Sequence, residues 1–163
     1  MGNKAVADTG PILHLSEISL LNLLHIFSEV LIPEEVKEEL KKYNVDWPSQ
    51  KNCRTALLDA RGKDLTQVFS IKWSLDLGES EALALAILQK SMLLTDDLDA
   101  RNLASLYHVE VHGSMGIIMR AFREKLLTKK EAMSAIEALH QHSSLFLTRS
   151  LVKKAFDALE QYK

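Results

Sequence analysis

The chain has a single cysteine, Cys53, among 163 residues. An intrachain disulfide is therefore excluded, and no Cys-x-x-Cys pair exists to hold zinc through thiolates. His-Glu-x-x-His is also missing, and the six histidines fall at no ligand spacing. With three prolines and six glycines, no stretch is rich enough in either to mark an interdomain linker. No apolar run approaches the ~20 residues that span a bilayer, and no charged-then-apolar leader opens the sequence. The expectation is a cytoplasmic protein with no membrane partner. The formal charge is only −2, so no global basic field announces nucleic acid, and any such affinity must come from a local patch.

Ordinary globular material fills the rest, with 47% apolar and 26% charged residues. The expected organisation is one domain over 1–163, with an α/β core over 1–115 and a helical extension over 116–163. Short apolar runs at Ala5–Ala7, Glu29–Ile32, Met92–Thr95 and Glu110–His112 read as buried strands. Helical spacing marks Ile12–Phe27, which Ser16-Glu17-Ile18-Ser19 can split in two, and Pro33 to about Lys42. Further helices are expected over Glu79–Gln89, Asp99–Tyr107, Met115–Leu126, Lys129–His142 and Leu151–Gln161. Thr55–Ala60 suggests a helical turn or two, and Leu65–Trp73 alternates weakly, as a strand or extended loop would. Strands alternating with helices imply an α/β fold whose central parallel sheet is covered on both faces.

Acidic residues stand out against this frame. Asp8 closes the first strand, Glu39 lies in the helix after the second, and Glu79 opens an Ala- and Leu-rich helix. Asp96, Asp97 and Asp99 crowd behind the strand ending at Thr95. Each has an ordinary structural explanation as a helix cap, a first-turn acid or a solvated charge. Together they sit where an α/β sheet gathers ligands, outside the carboxyl ends of its strands. Clustered carboxylates cannot all stay ionised without a partner, and a hard divalent cation is the natural one.

In their order and intervals these segments resemble the PIN-domain family of metal-dependent nucleases, VapC-type toxins included. The resemblance rests on Val6-Ala7-Asp8-Thr9, on Pro33, Val36, Glu39 and Leu40, and on the interval from Glu79 to Thr95, which favours Glu79 over Glu81. Thr95-Asp96-Asp97 and Gly113-Ser114-Met115-Gly116 complete it, over roughly Ala5 to Gly113. It departs in placing glutamate at the third position, where aspartate is more usual.

The resemblance implies a PIN-like three-layer α/β/α fold with a central parallel sheet, plus C-terminal helices. It further implies a divalent-metal-dependent endoribonuclease, toxin-like, acting on RNA phosphodiester bonds. The catalytic set would be Asp8, Glu39, Glu79 and Asp97, with Asp8, Glu79, Asp97 and Asp96 on Mg²⁺ or Mn²⁺. Among Asp96, Asp97 and Asp99 the analogy ranks Asp97 first. Thr9 would support an acid or a metal-held water from outside the ligand set. Implied partners are RNA, a small antitoxin protein and a second copy of the chain. Because the acids repel phosphate, rim cations must supply affinity, and Arg101, Arg120, Arg123 and Lys125 are the candidates.

Two other readings compete. One is a catalytically inactive PIN-fold module that binds RNA or protein through the same cleft. The other is a receiver- or dehalogenase-type phosphoryl-transfer domain. Asp8-Thr9-Gly10 lacks the second aspartate of the dehalogenase type, and His112-Gly113-Ser114 stands where a receiver carries lysine. His112, at a strand end, is the one histidine with a placement of interest. The stripe Met115, Ile118, Met119 and Phe122 reads as core or dimer packing.

Overall fold

The computed structural model describes residues 3–163. Its spine is a five-stranded, all-parallel sheet in the order β3-β2-β1-β4-β5. The strands are β1 (Lys4–Ala7), β2 (Glu29–Pro33), β3 (Cys53–Ala56), β4 (Met92–Leu94) and β5 (Val111–His112). The helices are α1 (Thr9–Glu17), α2 (Glu34–Lys42), α3 (Ala60–Trp73), α4 (Leu77–Gln89), α5 (Leu98–Leu106), α6 (Ser114–Arg123), α7 (Lys129–His142) and α8 (Arg149–Gln161).

Side chains alternate across the sheet, so each strand feeds two cores. Ala5, Ala7, Val30, Ile32, Met92 and Leu94 face one core, which α1, α6, α7 and α8 also line. Val6, Leu31 and Leu93 face the other, beneath α3, α4 and α5. With both faces covered, the strands read as continuous apolar runs, and the architecture is the expected three-layer α/β/α arrangement.

Three local expectations are corrected. Leu65–Trp73 is neither strand nor loop but the body of α3, whose buried residues Gly62, Thr66 and Phe69 repeat at helical spacing. Its β-branched Val68 and Ile71 imitate alternation, yet both are exposed. Around Thr55 the chain extends as the edge strand β3, paired in parallel with β2, so the expected helical turn over Thr55–Ala60 does not form. The second half of Ile12–Phe27 is not an α-helix but a 3₁₀ segment, Leu21–Ile26, entered through Ser19 at φ 59°. The stripe on α6 packs inward, with Ile118 buried and Met115, Met119 and Phe122 laid against the first core.

β1 is central because the connections reverse around it: β2 and β3 lie to one side, β4 and β5 to the other. Adjacent chain exits diverge at such a switch point and leave a crevice at the carboxyl ends of the strands. Asp8, Thr95 and the acids after β4 all leave the sheet there.

Candidate active site at the carboxyl edge of the sheet

Asp8 ends β1 and caps α1, with Oδ1 accepting from the Thr9 amide at 2.8 Å. Its Oδ2 accepts from the buried Thr95 hydroxyl at 2.9 Å. Burial still dominates, pushing the Asp8 carboxyl up to about 7, with Asp76 and Glu39 adding repulsion. The Thr95 oxygen also accepts from the Asp97 amide at 3.2 Å, so one hydroxyl ties the exits of β1 and β4 together.

Glu39 comes from α2, half-buried beside the buried Leu40. Thr9 donates its hydroxyl to Glu39 Oε2. Burial first, then Asp76 and Glu35, raise the Glu39 carboxyl. Gly78 leaves room for the Glu39 carboxylate, because a Cβ there would stand 2.6 Å from Glu39 Oε1 and push it aside. Asp76 and Glu79 form a reciprocal capping box at the start of α4: Asp76 Oδ1 accepts from the Glu79 amide at 2.8 Å, and Glu79 Oε2 from the Asp76 amide at 3.0 Å. Glu79 is pushed up to about 8, by burial first and then by the charges of Asp76, Asp97 and Asp8. Asp97 caps α5, accepting from the Ala100 amide at 2.8 Å.

The four expected acids thus come together. Asp8, Glu39, Glu79 and Asp97, with Asp76, Asp96 and Thr9, line one open pocket of about 340 Å³ that no lysine or arginine lines. Glu81 points elsewhere, its Oε2 accepting from the Glu35 amide at 2.9 Å. Asp99 is exposed in the first turn of α5 and does not line the pocket. Asp96 is the most tethered acid. Its Oδ1 accepts from the Ser114 amide at 2.7 Å, and its Oδ2 from the Ser114 hydroxyl at 2.5 Å and from His14 Nδ1 at 2.7 Å.

Sequence reasoning missed Asp76, His14 and Ser114 as parts of this cluster. For Asp76 the signal was present, since Asp76-Leu77-Gly78-Glu79 is a capping-box pattern. For His14, 82 positions before Asp96, no local signal exists. His112 lies off the pocket, half-buried, and burial holds its imidazole below the ordinary range.

The donor set suits a hard divalent cation: carboxylate oxygens from separate elements, mutually repelling, with no lysine or arginine among the described lining residues. Among the described residues no three His, Cys, Asp or Glu side chains already converge on one ion position. Glu39 is drawn to Thr9 and Glu79 folds back onto its own helix cap, so an arriving cation has to compete with those hydrogen bonds.

Comparison with known proteins agrees with this architecture. No curated protein matches the sequence. A family model described as DUF3368, PIN domain, matches residues 4–161, from β1 through the last turn of α8. PIN domains are generally nucleases and typically use divalent metals, and the chain belongs to the PIN-domain family.

Proposed function

We infer that the protein is a divalent-metal-dependent endoribonuclease. The observation that carries this reading is the pocket itself, where acids from β1, α2, α4 and α5 meet without a lysine or arginine. Asp8, Glu39, Glu79 and Asp97 would hold Mg²⁺ or Mn²⁺, with Asp76 and Asp96 the further carboxylates of the same lining. When bound, the ion supplies the Lewis acidity that activates water and polarises the scissile phosphate.

The chain's own groups do the positioning. Thr95 fixes Asp8 and the start of α5 relative to each other. Thr9 orients Glu39. Ser114 and His14 occupy both oxygens of Asp96, which suits it to hold the β4–α5 turn in place rather than to serve as a free ligand. Proton uptake by the raised carboxyls, Asp8 near 7 and Glu79 near 8, relieves repulsion in the metal-free pocket; a cation does the same at higher pH.

A toxin-like role with a small antitoxin, a cytoplasmic setting, a homodimer and a single domain over 1–163 belong to the same reading. The inactive-module alternative draws on the hydrogen bonds that engage Glu39 and Glu79. The deciding experiment is cleavage of a labelled RNA with Mg²⁺, with Mn²⁺ and with chelator, by the wild type and by Asp8→Asn. Metal-dependent cleavage lost in Asp8→Asn supports the nuclease. Absence of cleavage under every metal condition supports the inactive module.

A further inference from the structure

A second groove, of about 710 Å³, runs beside the acid pocket and shares Asp96, Leu145 and Phe146 with it. Most of its lining is apolar, and apart from the shared Asp96 its charges are of the opposite sign to the pocket's. Arg101 from α5, Arg123 from α6 and Lys154 from α8 line it, and among the described residues none of the three makes an ion pair. Arg120, on the same helix as Arg123, is already engaged. It is paired with Glu124 and stacked over Phe27 at 5.1 Å.

Between the groove and the acid pocket stands Phe146, 86% exposed. Its exposure is built in. The strap joining α7 to α8 is pinned to α1, because Ser144 donates its amide and its hydroxyl to Glu17. On either side, Leu145 and Leu147 pack against the first core, which leaves the phenyl ring between them turned out. A side chain of this size gains nothing for the fold by standing in water.

We propose that this groove binds single-stranded RNA and leads it into the acid pocket, with Phe146 stacking an unpaired base at the junction and Arg101, Arg123 and Lys154 contacting backbone phosphates. This rests on the nuclease reading of the acid pocket and names how that pocket selects its substrate. The pocket alone repels a polyanion, so affinity has to come from beside it, and three unpaired cations supply the complementary charge. A flat aromatic face favours unpaired bases, because bases in a duplex are already stacked on one another.

The test is fluorescence-anisotropy binding of a labelled single-stranded RNA dodecamer to the full chain in EDTA, so that no cleavage is needed. Three phosphate contacts give a log–log salt slope of about −2, or roughly twentyfold weaker binding between about 50 and 200 mM salt. Phe146→Ala should weaken binding about tenfold, and the Arg123→Gln/Lys154→Gln double variant should weaken it and flatten the slope. Lys63→Gln on α3 should change neither. The same sequence annealed to its complement should bind more weakly to the wild type and be insensitive to Phe146→Ala.

Unchanged single-strand binding in both groove variants, with native circular dichroism, would overturn the proposal and leave the groove as a protein-docking face. Equal Phe146 dependence for duplex and single strand would overturn it as well. Tight, Phe146-dependent binding by a protein that cuts no RNA with any metal would keep this inference and sink the nuclease reading.

Discussion

The acid pocket and the groove beside it are neighbours with opposite electrostatics. In the pocket, carboxylates crowd until burial and mutual repulsion lift Asp8 to about 7 and Glu79 to about 8. In the groove, three cations that make no ion pair among the described residues stand around an exposed ring. On the nuclease reading proposed above, the difference separates the two tasks of handling a polyanion. One region can concentrate metal and would expel phosphate on its own; the other can hold phosphate and has no chemistry of its own.

The comparison breaks most sharply if the pocket is disarmed while the groove is left alone. Asp8→Asn or Glu79→Gln should lower RNA cleavage by at least about a hundredfold without weakening single-strand binding in chelator. A parallel loss of binding would show that the two regions are not separable.

The next largest effect is a pH dependence of stability. Burial raises Asp8 from 3.8 to about 7, so the folded protein holds its proton more tightly than the unfolded chain. Stability of the metal-free protein should therefore fall as pH rises between those values, by on the order of 4 kcal/mol before relaxation. Thermal melts at pH 5 and pH 8 should show this fall in EDTA, recovery at pH 8 with Mn²⁺, and a flatter profile for Asp8→Asn. A metal-free protein more stable at pH 8 than at pH 5 would contradict the buried-carboxylate account.

Smaller perturbations sharpen the boundary between the regions. Gly78→Ala places a methyl against Glu39 and should reduce cleavage about tenfold, while binding in chelator stays unchanged. His14→Ala removes one tether of Asp96 and should also reduce cleavage, about tenfold, with the melting temperature monitored alongside. Least affected should be Arg120→Gln, which loses its contacts to Glu124 and Phe27 and about 1 kcal/mol of stability. RNA affinity should not change, in contrast to Arg123→Gln.

How far the sequence reveals this arrangement depends on whether a residue's partners are local. Strand-end Asp8, the helix-opening Glu79 and the Asp96-Asp97 pair are marked by turns and caps in their own neighbourhoods. Glu39 is not set apart from Glu34, Glu35 and Glu38 by its own neighbourhood; only the resemblance carried by Pro33, Val36, Glu39 and Leu40 singles it out. The parallel sheet follows from apolar runs alternating with helices. Thr55 and Phe69 mislead because β3 is a half-buried edge strand without a continuous apolar signature, and α3 exposes β-branched residues. Arg101 and Arg123 were legible as candidates, whereas Arg120, equally basic in sequence, is held by partners only the fold reveals. Lys154 and Phe146 enter the groove through α8 and the strap before it, well beyond the last family motif at Gly113-Ser114-Met115-Gly116, so no spacing rule reaches them.

The Thr95 hydroxyl that joins Asp8 to the amide of Asp97 spans 87 positions of sequence. β1 and β4 pair side by side in the sheet, and that bond needs both strands present. Neither an amino-terminal fragment that stops before β4 nor a nascent chain still emerging can therefore assemble the pocket. If the proposed nuclease reading holds, the order of the strands acts as a safety interlock: the blade is not set in its handle until the sheet is whole.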